Sequence, residues 1–185
     1  DILLESVIKL LDISSELIEE NLTTLAFAGE IELDSLDGVP VVYQHFFYQA
    51  EQSVTYHIKR IMNGYMPPLA ADPDNLINAA EADERIQLSG DQRKAIRAAL
   101  TNKITIITGG PGTGKTTIIN LIVKIFKLMG ISVALAAPTG RAAKRITETS
   151  GVEAMTIHRL LEYVYSEDEN EMEFGRNAEN PLEED

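Results

Sequence analysis

The stretch GGPGTGKTT at residues 109–117 decides how the rest of the chain is read. It fits the pattern G-x-x-x-x-G-K-[ST], with Gly109, Gly114, Lys115 and Thr116 in the required places. Glycines let a backbone turn its N–H groups inward around a phosphate, and the helix that follows points the positive end of its dipole at the same charge. Gly110, Pro111, Gly112 and Thr113 complete the loop, and Thr117 follows it. Lys115 is placed to reach the β- and γ-phosphates of a nucleotide, and the Thr116 hydroxyl is the expected ligand of Mg²⁺. These two are the candidate catalytic residues. The segment ITIIT at 104–108 reads as a short buried strand, and a helical pattern begins at Lys115. Strand, loop, helix is the order that such a loop needs.

At 185 residues and 44% hydrophobic, the chain can bury a core and is expected to form one or two domains. There is no cysteine, hence no disulfide framework and no thiolate metal site, which fits a reducing cytoplasm. No apolar run approaches the roughly 18 residues needed to span a bilayer, and no signal peptide or membrane partner is expected. The sequence starts at Asp1, without Met, inside a helical pattern (Ile2, Leu3, Val7, Leu10, Leu11), and is taken as a piece of a longer protein.

The net charge of −13 is segregated. Residues 1–88 carry 4 basic and 16 acidic side chains, net −12. Residues 89–165 carry 11 basic and 4 acidic, net +7, and residues 166–185 carry 1 basic and 9 acidic, net −8. A basic block that holds the phosphate loop between two acidic blocks points to polyanion binding in the middle only.

Residues 1–62 read as helix, helix, hairpin, helix. Asp12-Ile13-Ser14-Ser15 breaks the first helix and supplies a serine cap for the second, and Asp37-Gly38 supplies the hairpin turn. This is the outline of a winged helix-turn-helix. Its candidate recognition helix, however, carries Glu16, Glu19 and Glu20 and no Lys or Arg. Such a helix repels a phosphate backbone, so the module is expected to be structural, with protein partners as its possible ligands. Residues 65–87, punctuated by Pro67-Pro68 and Asp72-Pro73, read as a connector with one short helix near 76–85.

Ser89 is a plausible N-cap for a helix running to Leu100. Gln92, in its first turn, offers a donor and an acceptor that match the N6 and N7 pair of adenine, although a Gln at a helix start is also commonly just solvated. The helix after the loop is apolar around most of its circumference, as expected beside a parallel sheet, and 131–136 reads as a second buried strand. The fold class is therefore α/β. Pro138, Thr139 and Arg141, with Lys144 and Arg145, follow that strand, where open α/β sheets bind ligands. They read either as a phosphate-holding helix start or as a capped, solvated helix. His158 alone is a weak signal without a metal constellation. Residues 166–185 read as an exposed acidic loop with a short strand around 172–174.

Together, LSGDQ at 88–92, ITGGPGTGKTT at 107–117, AAPTGRAAKR at 136–145 and TIHRLL at 156–161 resemble superfamily 1 DNA helicases of the RecD/TraA type, the exodeoxyribonuclease V alpha-chain family. The resemblance implies a RecA-like parallel sheet, left incomplete here, preceded by a small α+β winged-helix-like domain. It divides the chain into a module at 1–64, a connector at 65–87 and the first part of the motor at 88–185. It also implies ATP and Mg²⁺ as cofactors, Gln92 as the adenine-sensing residue, and single-stranded DNA held by Pro138, Thr139, Arg141, His158 and Arg159. Translocation would run 5′→3′.

The departure is that no strand ends in Asp-Glu. The family places that Walker B motif shortly after a segment like Asn180-Pro181-Leu182, so this piece is expected to bind adenine nucleotide and to hydrolyse it negligibly. The other readings are a P-loop kinase or GTPase, for which no N-K-x-D guanine motif is present, and an interaction module with a passenger loop.

Overall fold

Apolar side chains at helical spacing build two units, Asp1–Tyr65 and Met66–Asp185. The computed structural model describes residues 2–69, 71–166 and 171–183. Of the acidic segment expected as an exposed loop, residues 167–170 and 184–185 therefore lie outside the described residues.

In the first unit, α1 (Ile2–Leu11) stops where Asp12 turns to a φ of 53°. Ser14 caps α2 (Ser15–Phe27), its hydroxyl accepting from the Leu17 N–H at 3.4 Å. Strands β1 (Ile31–Leu36) and β2 (Val39–Gln44) pair antiparallel through the two-residue turn Asp37-Gly38, whose φ angles of 51° and 78° match the right-handed strand twist. Helix α3 (His45–Asn63) follows, its first residue held to β1 by a 2.7 Å contact between His45 Nδ1 and a Glu32 carboxylate oxygen. The order helix, helix, hairpin, helix is thus the one expected. Among the described residues of this unit, Ile18 is the one buried hydrophobic.

The second unit packs α4 (Pro73–Glu84), α5 (Gly90–Thr101) and α6 (Lys115–Leu128) around Ile77, Ala80, Leu88, Ile96, Leu100, Ile118, Leu121 and Ile125. Helix α4 falls in the expected connector, yet its Ile77 and Ala80 are buried in this core. Two apolar residues three apart suffice to seat a helix, and the low average hydrophobicity of 65–87 concealed them. Polar contacts fasten α4 to α5. Arg93 pairs with Glu81 and donates to Asn78 at 2.7 Å, Arg97 pairs with Asp74, and Glu81 accepts from the Leu88 N–H at 2.7 Å.

The sheet differs from expectation. Residues 104–108 alternate between covered and exposed like a strand face, with Thr105 donating to the Ala98 carbonyl at 3.1 Å and Ile107 against the core, but they join no ladder among the described residues. A strand is defined by its neighbour, and here Ile106 is left 84% exposed rather than buried. The parallel pair is formed instead by β3 (Leu135–Ala137) and β4 (Ala154–Thr156), in the register Leu135↔Ala154 to Ala137↔Thr156, with α7 (Gly140–Ser150) between them. Only the end of the expected strand at 131–136 takes part. A short helix, α8 (Ile157–Leu160), leads into the antiparallel hairpin β5 (Tyr163–Ser166) and β6 (Glu171–Phe174). The chain is thus a mixed α/β protein.

Ile96 is fully buried and Ile106 is not, so the two isoleucines separate core from open face. Ile96→Ala should cost about 2–5 kcal/mol of stability and Ile106→Ala less than about 0.5 kcal/mol, read by urea unfolding followed through amide exchange in α5 and α6.

Candidate nucleotide site

Helix α6 starts at Lys115 without a side-chain cap, because its N-cap is Gly114. Gly114 has a φ of 82°, a left-handed conformation that an L side chain adopts only with strain. A Cβ there would also stand 2.4 Å from the Gln92 amide nitrogen. At the other end of the loop, a Cβ on Gly109 would meet the Thr113 hydroxyl at 2.7 Å. Both glycines are needed for close approach, and the first turn of α6 leaves its N–H groups facing the loop.

Pro111, Gly112, Thr113, Gly114, Lys115 and Thr116 form one wall of a cleft of about 670 Å³. The opposite wall is one face of α7: Ala142, Arg145, Ile146 and Thr149, at the spacing i, i+3, i+4, i+7. Asn120 of α6 joins the walls, its amide donating to the Thr149 carbonyl at 2.8 Å while its Oδ1 is buried without a partner. Lys115 is half-buried, and its ammonium donates to the Gly109 and Gly110 carbonyls at 2.5 and 2.6 Å. The described lining carries two cations, Lys115 and Arg145, and no carboxylate. Donor N–H groups, an ammonium, a guanidinium and the Thr116 hydroxyl are the set that a magnesium-bound polyphosphate requires, so the residues fit that group.

Two residues expected at the nucleotide, Thr117 and Gln92, do not line this cleft. The side chain of Thr117 lines a different cleft, of about 440 Å³, with Glu84 and Lys124, because each helical step turns a residue by about 100° away from Lys115 and Thr116. Within that cleft the Lys124 ammonium is held by Asp83 and Glu84, whose hydrogen bonds raise its pKa above the usual 10.5. Gln92 lies behind the loop. Its Oε1 accepts from the Ser89 N–H at 2.9 Å, completing a capping box on α5, and its Nε2 donates to the Thr113 carbonyl at 3.2 Å.

The candidate strand-binding residues gather at the carboxyl ends of β3 and β4. Thr139 caps α7, accepting from the Ala142 N–H at 3.3 Å, and Thr156 caps α8, accepting from the Arg159 N–H at 3.2 Å. Lys144, Thr147, Glu148, Glu153, Thr156 and Arg159 share a groove of about 630 Å³; of the five candidates Arg159 alone lines it, and Pro138 and Arg141 are exposed nearby in sequence. His158 is exposed and stacks edge-on against Tyr163 at 5.3 Å, with Phe174 6.2 Å away. Among the described residues no group of three His, Cys, Asp or Glu is arranged to hold a metal.

The matching family model is that of an AAA domain, over residues 92–185. The chain belongs to the AAA-domain family. It is 33% identical over 122 residues to the ATP-dependent RecD2 DNA helicase of Deinococcus radiodurans, a match covering 66% of this chain and 17% of that protein. It is 39% identical over 94 residues to the RecBCD enzyme subunit RecD of Mycolicibacterium smegmatis, covering 38% and 17%. Identity to the subunit RecD of Haemophilus influenzae is 31% over 121 residues, covering 60% and 19%. The resemblance to RecD-type helicases therefore stands, and the chain spans less than a fifth of the length of these relatives. Among the described residues, no helix is long and apolar enough to cross a membrane.

By sequence Arg145 was read with Arg141 and Lys144 as charge at a phosphate-holding helix start, and in the structure it lines the cleft beside the loop. The signal lay in the helical spacing of Ala142, Arg145, Ile146 and Thr149. A polyphosphate in the cleft would lie between Lys115 and Arg145, so Arg145→Ala should weaken MgATP binding about 3- to 10-fold. Lys144→Ala, in the neighbouring groove, should leave it unchanged in the same calorimetric titration.

Proposed function

We propose that this chain is the nucleotide-binding beginning of an ATP-dependent DNA helicase motor, in a protein that translocates 5′→3′ on single-stranded DNA. The observation that carries the reading is the cleft itself, in which a glycine-turned loop at a helix start faces Arg145 across about 670 Å³. The names of the relatives support the helicase class and the polarity follows by resemblance. Residues 88–185 are the first part of a RecA-like motor, with α4 packed on it, and 1–64 are a winged-helix-like docking module. The protein is cytoplasmic in this reading.

When bound, ATP supplies the phosphoanhydride whose cleavage drives translocation, and Mg²⁺ neutralises its phosphates. The chain's own residues bind and orient. Lys115 exchanges its two carbonyl contacts for phosphate oxygens, and the loop N–H groups hold the charge that remains. The Thr116 hydroxyl would hold the metal, and Gln92, with one amide donor and one acceptor position still free, would meet the adenine. Phosphoryl transfer also needs carboxylates for the metal and the water, whereas the described lining supplies cations.

The 185-residue chain should therefore bind MgATP in preference to MgGTP and turn it over negligibly. Lys115→Ala should weaken that binding by an order of magnitude or more while the melting curve is retained, since charged hydrogen bonds contribute about 1.5–3 kcal/mol each. Magnesium-dependent hydrolysis that Lys115→Ala abolishes would overturn the reading of this piece as inactive, and preference for GTP would favour another class of P-loop protein.

Single-stranded DNA is proposed to lie over Pro138, Thr139, Arg141, His158 and Arg159. Helix α2 is an unsuitable alternative, because the backbone N–H of Glu16 holds its carboxyl below the ordinary range, with Ser14 adding to the effect, and keeps it ionised. In the whole protein, Arg141→Ala or Arg159→Ala should each flatten the log–log salt dependence of binding by about 0.7. Crosslinks from the strand to α2 instead of 138–159 would transfer the role to the first unit.

A further inference from the structure

We propose that Gln92 is a positioning residue for the phosphate loop, holding the peptide between Thr113 and Gly114 in the orientation that an anion requires. The inference rests on the nucleotide reading above and extends it, since reading adenine would not by itself need either of the contacts that Gln92 makes. Its amide is fixed twice. Oε1 accepts from the Ser89 N–H at 2.9 Å, and Nε2 donates to the Thr113 carbonyl at 3.2 Å, across 21 residues of chain.

A trans peptide points its C=O and its N–H in opposite directions, and no cis bond occurs among the described residues. Gly114 lines the phosphate cleft and Gln92 does not. Drawing the Thr113 carbonyl outward to Gln92 therefore turns the Gly114 N–H inward, toward the place of the anion. The glycine serves this contact directly, because the space a Cβ would fill is occupied by the Gln92 amide, 2.4 Å away. One Nε2 hydrogen and one Oε1 lone pair remain, so the same amide holds the loop and still presents a donor and an acceptor to a base.

The test uses the 185-residue chain with three probes: MgATP, MgGTP and inorganic tripolyphosphate, which has no base. Gln92→Met keeps length and neutrality and cuts both bonds, whereas Ser89→Ala weakens the same cap and leaves the bond to Thr113. Gln92→Met should weaken tripolyphosphate and MgGTP about 3- to 10-fold for a lost neutral hydrogen bond, and MgATP at least as much, measured below the melting transition. Ser89→Ala should leave tripolyphosphate binding unchanged. Gln92→Glu, which retains the capping acceptor, should show the same loss of tripolyphosphate binding at high salt, where its charge is screened. Unchanged tripolyphosphate binding in Gln92→Met overturns the proposal and leaves Gln92 a reader of the base alone. An equal loss in Ser89→Ala overturns it in favour of helix capping. A parent chain that binds neither tripolyphosphate nor nucleotide removes the nucleotide reading itself, which is a separate result.

Discussion

Burial of Ile96 and Leu100 of α5 against Ile118, Leu121 and Ile125 of α6 is the constraint on which the site depends. Those side chains exclude water completely or nearly so, which fixes the two helices relative to each other. Both helix starts then lie on the same side of the core. One start carries the capping box of Ser89 and Gln92, and the other carries the loop that ends in Gly114. The phosphate loop is thus held by a packed core and not by its own sequence alone. The ion pairs of Arg93 and Arg97 with α4 add a third helix to the same frame.

What was legible in the sequence was local. The loop, its two close-approach glycines, the Ser14, Ser89 and Thr139 caps and the Asp37-Gly38 turn depend on residues a few positions apart, and each is where its chemistry placed it. What was misread depended on partners distant in the chain. Apolar alternation at 104–108 cannot say which strand lies alongside, and no ladder forms there among the described residues. Ala154-Met155-Thr156 is too short to announce itself, and it became a strand because Leu135–Ala137 offered it a parallel edge. The direction in which Arg145 and Thr117 face was written in helical spacing, but the choice of wall needed the neighbouring helices.

Charge does not divide along the same line as structure: residues 1–65 are net −8 and residues 66–185 net −5, and the positive block, net +7, is confined to residues 89–165. The first unit is acidic, and among the described residues it buries one hydrophobic side chain, so its surface is also rich in uncovered apolar groups such as Phe27 and Phe46. Four cations of the second unit, Arg141, Lys144, Arg145 and Arg159, follow its two parallel strands in sequence. A polyanion approaching this chain is attracted by the stretch 89–165 and repelled by the acidic stretches on either side of it in sequence, each field being felt over about a Debye length of 8–10 Å at physiological salt.

Helix α7 is a party wall. Its face with Ala142, Arg145, Ile146 and Thr149 closes the nucleotide cleft, and its face with Gly140, Ala143, Lys144 and Thr147 closes the groove beside Arg159. The two cavities share one rigid body only eleven residues long. A rotation that advances Arg145 into its cleft carries Lys144 along the same arc, so neither cavity changes width alone. A ligand that favoured one setting of α7 in one cavity would thereby alter affinity in the other, and by thermodynamic necessity the effect would be equal in both directions.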